Sequence, residues 1–534
     1  MKKIARTQSF RNLIDFNFIY IDKTEQINNL LQAERAFISR PRRFGKSLML
    51  DTIRTLFEYG VEPYFRGTWI YDKWEEGTYP VLRLNFLDFG QTLEDFNRRL
   101  RNRITEFAGK LKLESYQEKD KANECLISLF SALDDSRQQI VILIDEYDCQ
   151  IAANINEPET YEKFRSLLRD LYGIIKGKDC VHFFCITGVT RLKDMSIFSV
   201  GYDISDMSYN SAVSAITGFT REEIRKYYAD YIDRVLYFWK GIPEEKVTEE
   251  NRNELLDRLA EEYNGYCFDD MNKNKVFSTW SVNKFFSEAM LRKEVIFGDY
   301  WYENGGIPTI LANYLKTHQF DICDYSDDIS VNYYDFTNPV TLLDIDQRVL
   351  MCQTGYLTLN SVLQPYQVKL RIPNNEVKRA LAAVFSSRIF SSYIKTSPDF
   401  RDIFCSGNAD DIVSELNRMF NSLSYEQYPI KNEKSVQAYI HVFMLGGNMP
   451  VRTEIQSATG RADIILEYDK RRLILELKYA ETEDDCEKKL KEAAEQITSR
   501  KYGDTLPVKP AMKLALVFNG DSRVRQFTHY KEVC

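Results

Sequence analysis

A chain of 534 residues, 28% charged and 44% hydrophobic, holds ample material for packed cores and too little bias for a disordered or fibrous protein. At roughly one domain per ~150 residues it implies two to four domains, since a single core does not grow to this length. The 71 Lys and Arg against 79 Asp and Glu leave a net charge of -8, which excludes a polycation that coats nucleic acid and confines any such contact to a local surface. Ten cysteines without a CxxC, and four histidines far apart in sequence (His182, His318, His441, His529), argue against a disulfide framework or a zinc module. The start, Met1 to Arg6, lacks an apolar stretch, and no run approaches the ~20 apolar residues that span a bilayer, so a soluble, cytoplasmic chain without membrane contact is expected.

Short apolar strands alternate with amphipathic helices through about residue 205, which predicts an α/β domain with a largely parallel sheet and helices on both faces. The strand candidates are Ala36 to Ser39, Val81 to Phe86, Ile140 to Ile144 and Val181 to Thr187, β-branched and aromatic as buried strands are. From Thr220 to about Lys316 the pattern turns helical and aromatic, broken by Tyr263-Asn264-Gly265-Tyr266 and Gly305-Gly306-Ile307-Pro308, and reads as a helical lid or adaptor. Between Leu342 and Phe385 a helix leads into Gly355-Tyr356-Leu357-Thr358-Leu359, then Gln367 to Ile372, then another helix, an order compatible with a winged-helix-like module. Residues 396 to 430 show weak periodicity around Ser406 to Asp411, which places the last linker there. Helix and strand mix again beyond it, with strands at Ala462 to Tyr468, Arg472 to Tyr479 and Lys513 to Asn519.

Arg40-Pro41-Arg42-Arg43-Phe44-Gly45-Lys46-Ser47 follows an apolar strand and opens a helix, the context a phosphate loop needs. Backbone amides at the helix start face an anion, Lys46 neutralises β- and γ-phosphates, and the Ser47 hydroxyl completes a magnesium shell. Gly-Lys-Ser alone is equally an ordinary helix start, and Arg40 stands where the usual pattern has glycine. The conjunction with Val141-Ile142-Leu143-Ile144-Asp145-Glu146 is stronger, because an apolar strand there delivers two acids at its C-terminal tip, where ligands of open α/β sheets bind. Asp145 holds the magnesium ion through water in this reading and Glu146 polarises the attacking water. Thr187 and Arg191, just after the next strand, are either a γ-phosphate sensor and a transition-state arginine or a turn with a solvated arginine. Arg42, Arg43 and Arg191 are candidates to contact nucleotide phosphates or a neighbouring subunit, with a solvated face the equal alternative for Arg42.

These residues resemble a bacterial family, the AAA-ATPase-like proteins that carry a C-terminal PD-(D/E)XK nuclease-like domain. The N-terminal likeness rests on Tyr20-Ile21-Asp22-Lys23-Thr24-Glu25, on Ser39 to Leu48 and on Ile144-Asp145-Glu146-Tyr147-Asp148, with Arg40 itself similar to the family pattern. The middle signatures are Tyr263-Asn264-Gly265-Tyr266, Thr354-Gly355-Tyr356-Leu357 and Ile372-Pro373-Asn374. The resemblance implies a P-loop AAA-like ATPase domain at 1–215, a helical lid at 216–335, a winged-helix-like or linker region at 336–424 and a nuclease-like domain at 425–534. It implies ATP and Mg²⁺ (or Mn²⁺ at the nuclease-like site), a nucleotide-binding set of Arg43, Phe44, Gly45, Lys46, Ser47, Asp145, Thr187 and Arg191, DNA or RNA as partner, and a possible homo-oligomer.

Near the C-terminus, Gly460-Arg461-Ala462-Asp463 begins one strand and Glu476-Leu477-Lys478 lies in the next. Residues two apart in a strand share a face, so Glu476 and Lys478 project together and a hairpin brings Asp463 beside them. Two carboxylates then hold a hard divalent ion while Lys478 orients the water or stabilises the pentacovalent phosphate. Glu433, opening an apolar helix, supplies a third acid, and Glu454 either approaches the metal or pairs with Arg452. Gln496 precedes Arg500-Lys501-Tyr502 on a helix expected to line the groove. The bland alternative, an edge hairpin with paired surface charges, loses weight because these acids sit among Ile464, Leu466, Leu473 and Leu475, where an unpartnered charge is costly. Acids and bases are about equal in 425–534, which gives no strong basic surface. Aromatic pairs such as Tyr227-Tyr228, Phe285-Phe286 and Tyr333-Tyr334 favour core packing over base stacking. The competing function is a nucleotide-dependent switch or scaffold whose nuclease-like domain binds nucleic acid or protein without cutting.

Overall fold

The computed structural model describes the chain apart from residues 6, 193–203, 304–308, 316–317, 319–321, 323–328, 340, 364–365, 391–392, 394–399, 448, 450, 454–455, 458–459, 462, 469–470, 500–509 and 534. It divides into two compact units, one of residues 1–318 with 327–377 and one of 319–326 with 378–534. The expectations for Gly305 to Pro308, Ala462, Glu454 and Arg500 to Tyr502 lie outside the described residues.

The first unit is built on a parallel sheet of β1 (Arg35–Ser39), β2 (Val81–Asn85), β3 (Ile140–Asp145), β4 (Val181–Gly188) and β5 (Ser205–Asp206), in the order β2-β3-β4-β1-β5. All six residues of β3 are buried, as its unbroken apolar run predicts for a central strand covered on both faces. The strand at β5 escapes sequence reading because two residues carry no pattern. Around the sheet run α1 (Lys46–Tyr59), α2 (Leu93–Lys110), α3 (Ala122–Ser136) and α4 (Pro158–Ile175). Helix α1 starts after Gly45 and stops at Gly60, both with positive φ. Helix α2 starts at Thr92, whose side chain accepts from the Asp95 amide, with Glu94 and Asp95 in the first turn and Lys110 in the last.

The helical stretch expected after Thr220 is present as α5 (Arg221–Tyr227), α6 (Ala229–Lys240), α7 (Glu249–Tyr263) and α8 (Thr279–Arg292). Thr220 and Glu223 form a capping box at the start of α5. This helical stretch has its own core of Tyr228, Ile232, Leu259, Phe285 and Phe286, so two of the three aromatic pairs serve packing, while Tyr334 is exposed. Next come β6 (Ile329–Asn332), α9 (Gln347–Thr354), β7 (Thr358–Leu363) and β8 (Gln367–Arg371), with an antiparallel sheet ordered β6-β8-β7. The helix and hairpin were legible; the third strand, β6, was not.

Helix α10 (Asn375–Ile389) follows. The second unit continues with α11 (Phe400–Ser406), α12 (Ala409–Asn421), α13 (Glu433–Gly446), β9 (Val451–Thr453), β10 (Ile464–Glu467), β11 (Arg472–Ala480), α14 (Glu483–Ser499), β12 (Ala511–Asn519) and β13 (Gln526–Glu532). Its sheet runs β13-β12-β11-β10-β9, parallel only between β11 and β12. The segment expected to hold the last linker carries α11 and α12. Asn408 is the N-cap of α12 in a capping box with Asp411, and α12 buries Ile412, Leu416, Met419 and Phe420, the last against Phe518 at 4.9 Å. A polar Gly-Asn-Ala-Asp-Asp run is a helix start signal.

Candidate functional site

The phosphate-loop segment leaves β1 at Ser39 and reaches α1 through two left-handed residues, Arg43 (φ 69°) and Gly45 (φ 94°). Such alternation turns backbone amides toward one side, the geometry that receives an anion at a helix start. Lys46 is buried; its Nζ donates to the carbonyls of Arg40 at 3.1 Å and Pro41 at 3.3 Å and lies 3.6 Å from Glu146 Oε1. Glu146 sits at the tip of β3 with φ 54°, a left-handed backbone that turns the chain out of the sheet. Asp145, 2% exposed, accepts from the Thr187 hydroxyl at 2.8 Å and has Arg83 Nη2 at 3.7 Å. Ser47, Lys46 and Glu146 line a cavity of about 550 Å³ whose other wall includes Trp280, Asn283 and Lys284 of α8. A smaller pocket of about 100 Å³ adjoins Gly45, with mainly apolar walls that include Ile4, Tyr20, Ile21, Ile216 and Tyr228.

Several expected phosphate contacts have other partners. Arg40 is buried, with Nη1 donating to the carbonyls of Ser39 at 2.8 Å and Ser208 at 2.6 Å, Nη2 to Val213 at 3.3 Å, and the guanidinium 4.3 Å from the Phe268 ring. Burial pushes it down to about 10, with Tyr209 and Asp206 opposing. The residue at the usual glycine position thus anchors the loop from behind. Arg43 Nη1 donates to the carbonyls of Tyr300 at 3.3 Å and Trp301 at 2.7 Å and its guanidinium lies 4.9 Å from the Trp280 ring. Phe44 is fully buried against Tyr266 and Phe268, so its contribution to an anion site is confined to the backbone. Thr187 is fully buried and spends its hydroxyl on Asp145, which makes it a positioning residue for that acid. Arg191 is ion-paired to Asp206, while its backbone exchanges hydrogen bonds with the Gln353 amide, receiving from Nε2 at 3.4 Å and donating to Oε1 at 3.2 Å. The solvated-arginine alternative for Arg191 does not fit that pairing.

Sequence reading missed Arg83. Its Nη1 donates to Asp51 at 2.6 Å and its Nη2 to the Ser47 carbonyl at 3.2 Å, so one guanidinium joins the loop helix to Asp145. The available signal was a lone charge inside the apolar run Val81 to Phe86.

In the second unit β10 and β11 pair antiparallel with Ile464 opposite Leu475, which leaves Asp463 and Glu476 as the next residues beyond that pair. Asp463 Oδ2 accepts from the Leu477 amide at 2.7 Å, and Gln437 of α13 donates to the Asp463 carbonyl at 3.0 Å. Glu476 is fully buried, with Lys478 Nζ 3.8 Å from its Oε1 and 3.3 Å from Glu433 Oε1. The structure therefore gathers Glu433, Asp463, Glu476 and Lys478. Gln496 lies on α14, the helix that packs on β11 and β12. Among the described residues no three acids, histidines or cysteines are close enough to form a complete metal cage. The donor set nevertheless suits Mg²⁺ or Mn²⁺, which bind through one or two carboxylates and take the remaining oxygens from water and phosphate. No described helix is long and apolar enough to cross a membrane.

Comparison with known proteins falls on both sites. A family described as predicted AAA-ATPase matches residues 5–198, and the PD-(D/E)XK nuclease superfamily matches 431–528. A protein of Azotobacter chroococcum mcd 1, known as an uncharacterized protein in the vnfD 5' region, is 28% identical over 528 residues, covering 95% of this chain and 94% of its own. Among solved structures, a Walker-type ATPase of Pyrococcus abyssi is similar at 11% identity and TM-score 0.35, over 71% of this chain and 98% of that one. Cdc6p of Pyrobaculum aerophilum is similar at 10% identity and TM-score 0.24, over 68% and 93%. Lys46 and Glu146 on one cavity in the first unit, and Asp463, Glu476 and Lys478 on one hairpin in the second, fall within an AAA-ATPase-like domain at 5–198 and a PD-(D/E)XK nuclease-like domain at 431–528.

Proposed function

We propose that the chain binds and hydrolyses ATP at the phosphate loop and cuts nucleic-acid phosphodiesters at the C-terminal hairpin. The observation that carries the first half is the convergence of Lys46, Ser47 and Glu146 on one cavity, with Asp145 held behind them by Thr187 and Arg83. Phosphate oxygens compete with the Arg40 and Pro41 carbonyls for the Lys46 ammonium, and a charge-assisted bond outweighs a neutral one. Ser47 and Asp145 would hold Mg²⁺, which neutralises charge on the phosphates. Glu146, on the cavity wall, would accept a proton from the attacking water, and the apolar pocket beside Gly45 would take the base. At the second site Asp463 and Glu476 would hold the divalent ion, Lys478 would face the phosphate, and Glu433 would hold the Lys478 ammonium in place. The cytoplasm as location and a homo-oligomeric state belong to this reading.

The test is incubation of the purified protein with single- and double-stranded DNA and RNA, with and without ATP and Mg²⁺ or Mn²⁺. Lys46→Ala should lose nucleotide binding by calorimetry, and Asp463→Ala should lose cleavage while keeping ATP binding. A second reading, a nucleotide-dependent scaffold, is favoured by the absence of a three-residue metal cage among the described residues. It wins if the parent cuts nothing and gains no melting temperature from Mn²⁺.

A further inference from the structure

A second cavity, of about 290 Å³, opens between α1, β2 and α2, away from the lysine of the phosphate loop. Its walls bring together four cations from three elements: Arg54 of α1, Arg83 of β2, and Arg103 and Lys110 of α2. Glu58 is the one acid on the wall, and burial pushes its carboxyl up from the usual range against the pull of Arg54. Asp51, behind the wall, is already taken by Arg83 at 2.6 Å and Arg54 at 3.1 Å. The buried Arg54 Nε finds no hydrogen-bond partner among the described residues, since Glu58 stands at 3.7 Å. Four positive charges thus line one cavity with Glu58 as the acid on its wall, while Asp51 and Asp145 are engaged behind it and Glu106 stands 3.5 Å from Arg103. Converging cations repel one another in a partly desolvated space, and an anion relieves that repulsion. Pro80, Val81, Phe107 and Leu111 supply an apolar side to the same cavity.

We propose that this cavity binds a small organic phosphate, its phosphoryl group among the four cations and its organic body against Phe107 and Leu111. Arginine forks match phosphate oxygens in a way that lone ammonium groups do not. Arg83 connects the cavity to the phosphate loop, because the guanidinium that faces the cavity also donates to the Ser47 carbonyl and lies 3.7 Å from Asp145. A ligand that draws on Arg83 therefore competes with the loop for the same donors and alters ATP turnover.

The probe is phenyl phosphate, titrated calorimetrically into the full chain beside inorganic phosphate and phenol. The double variant Arg103→Ala/Lys110→Ala removes two exposed cations that touch nothing in the ATP site, and Arg103→Gln keeps size without charge. Phenyl phosphate should bind saturably and more tightly than inorganic phosphate, lose about tenfold in affinity in the double variant, equivalent to about 1.4 kcal/mol, and bind unchanged in Lys46→Ala. Loss in Lys46→Ala would put the anion in the phosphate loop, and undiminished binding by the double variant would remove it from this cavity; either result overturns the proposal. Equal affinity for inorganic and phenyl phosphate overturns the organic ligand, and no saturable binding overturns the site. Since the Lys46→Ala arm reads the ATP site separately, failure here leaves the ATP reading standing.

Discussion

Arg40 donates to three backbone carbonyls and stacks on Phe268, so the position where a phosphate loop commonly has glycine carries a structural anchor. Arg40→Gly would restore the usual pattern and leave those buried carbonyls without their donors. It should cost about 2–5 kcal/mol in stability, read as the shift of the urea midpoint, because orphaned buried acceptors are expensive and the large destabilisations come from such losses. A neutral result would mean that glycine and water replace the anchor. Glu146 poses the opposite case, a residue at the cavity wall with strained backbone and few structural duties. Glu146→Gln should hold ATP as tightly as the parent and lower turnover at least about a hundredfold, the scale of a lost general base. Hydrolysis at the parental rate would assign the base elsewhere.

Between elements, the middle signatures turn out to be places where chain segments touch too closely for a side chain. Gly265 has φ 94°, and a Cβ there would lie 2.1 Å from the Pro373 carbonyl oxygen, while Asn374 donates to the Asn264 carbonyl at 2.6 Å. Gly355 has φ 90°, and its Cβ would meet Pro41 Cβ at 2.9 Å and Trp301 at 3.3 Å, so the turn after α9 abuts the phosphate loop. The sequence showed these signatures without showing that they meet. Apolar runs made β1 to β4 legible, and the pairing of β10 with β11 followed from the spacing of Asp463 and Glu476. The partners of Arg40, Arg43, Arg83 and Arg191 were not legible, since a side chain's contact with a separate element leaves no local periodicity. Gly355→Ala should weaken ATP binding beyond its effect on stability, because Pro41 must shift to make room. Gly241→Ala is the matched control, with φ 68° and open space around it, and should cost only about 1 kcal/mol of backbone strain. Equal nucleotide affinities in the two variants would separate the turn after α9 from the loop's function.

At the scale of the molecule the two units have separate cores, and ligand linkage should make their unfolding distinguishable. ATP with Mg²⁺ at a hundred times its Kd adds about 2.7 kcal/mol to the unit that binds it, which identifies the first unit's transition in a melting curve. The second unit carries its own marker in His441, which is 4% exposed on α13. Burial, with Lys378 adding repulsion, holds this imidazole well below its ordinary range, so it stays neutral in the fold. In the unfolded chain it titrates near ~6.5. Below that pH the unfolded state binds a proton that the folded state refuses, so stability falls as pH drops, by up to about 1.4 kcal/mol per pH unit until the depressed folded value is reached. Between pH 7.5 and 5.5 the second unit's transition should therefore move down, and His441→Gln should flatten that dependence while leaving the ATP-shifted transition unchanged. The difference between parent and variant isolates the contribution of His441. A pH slope identical in the two proteins would show that His441 takes up its proton within the fold.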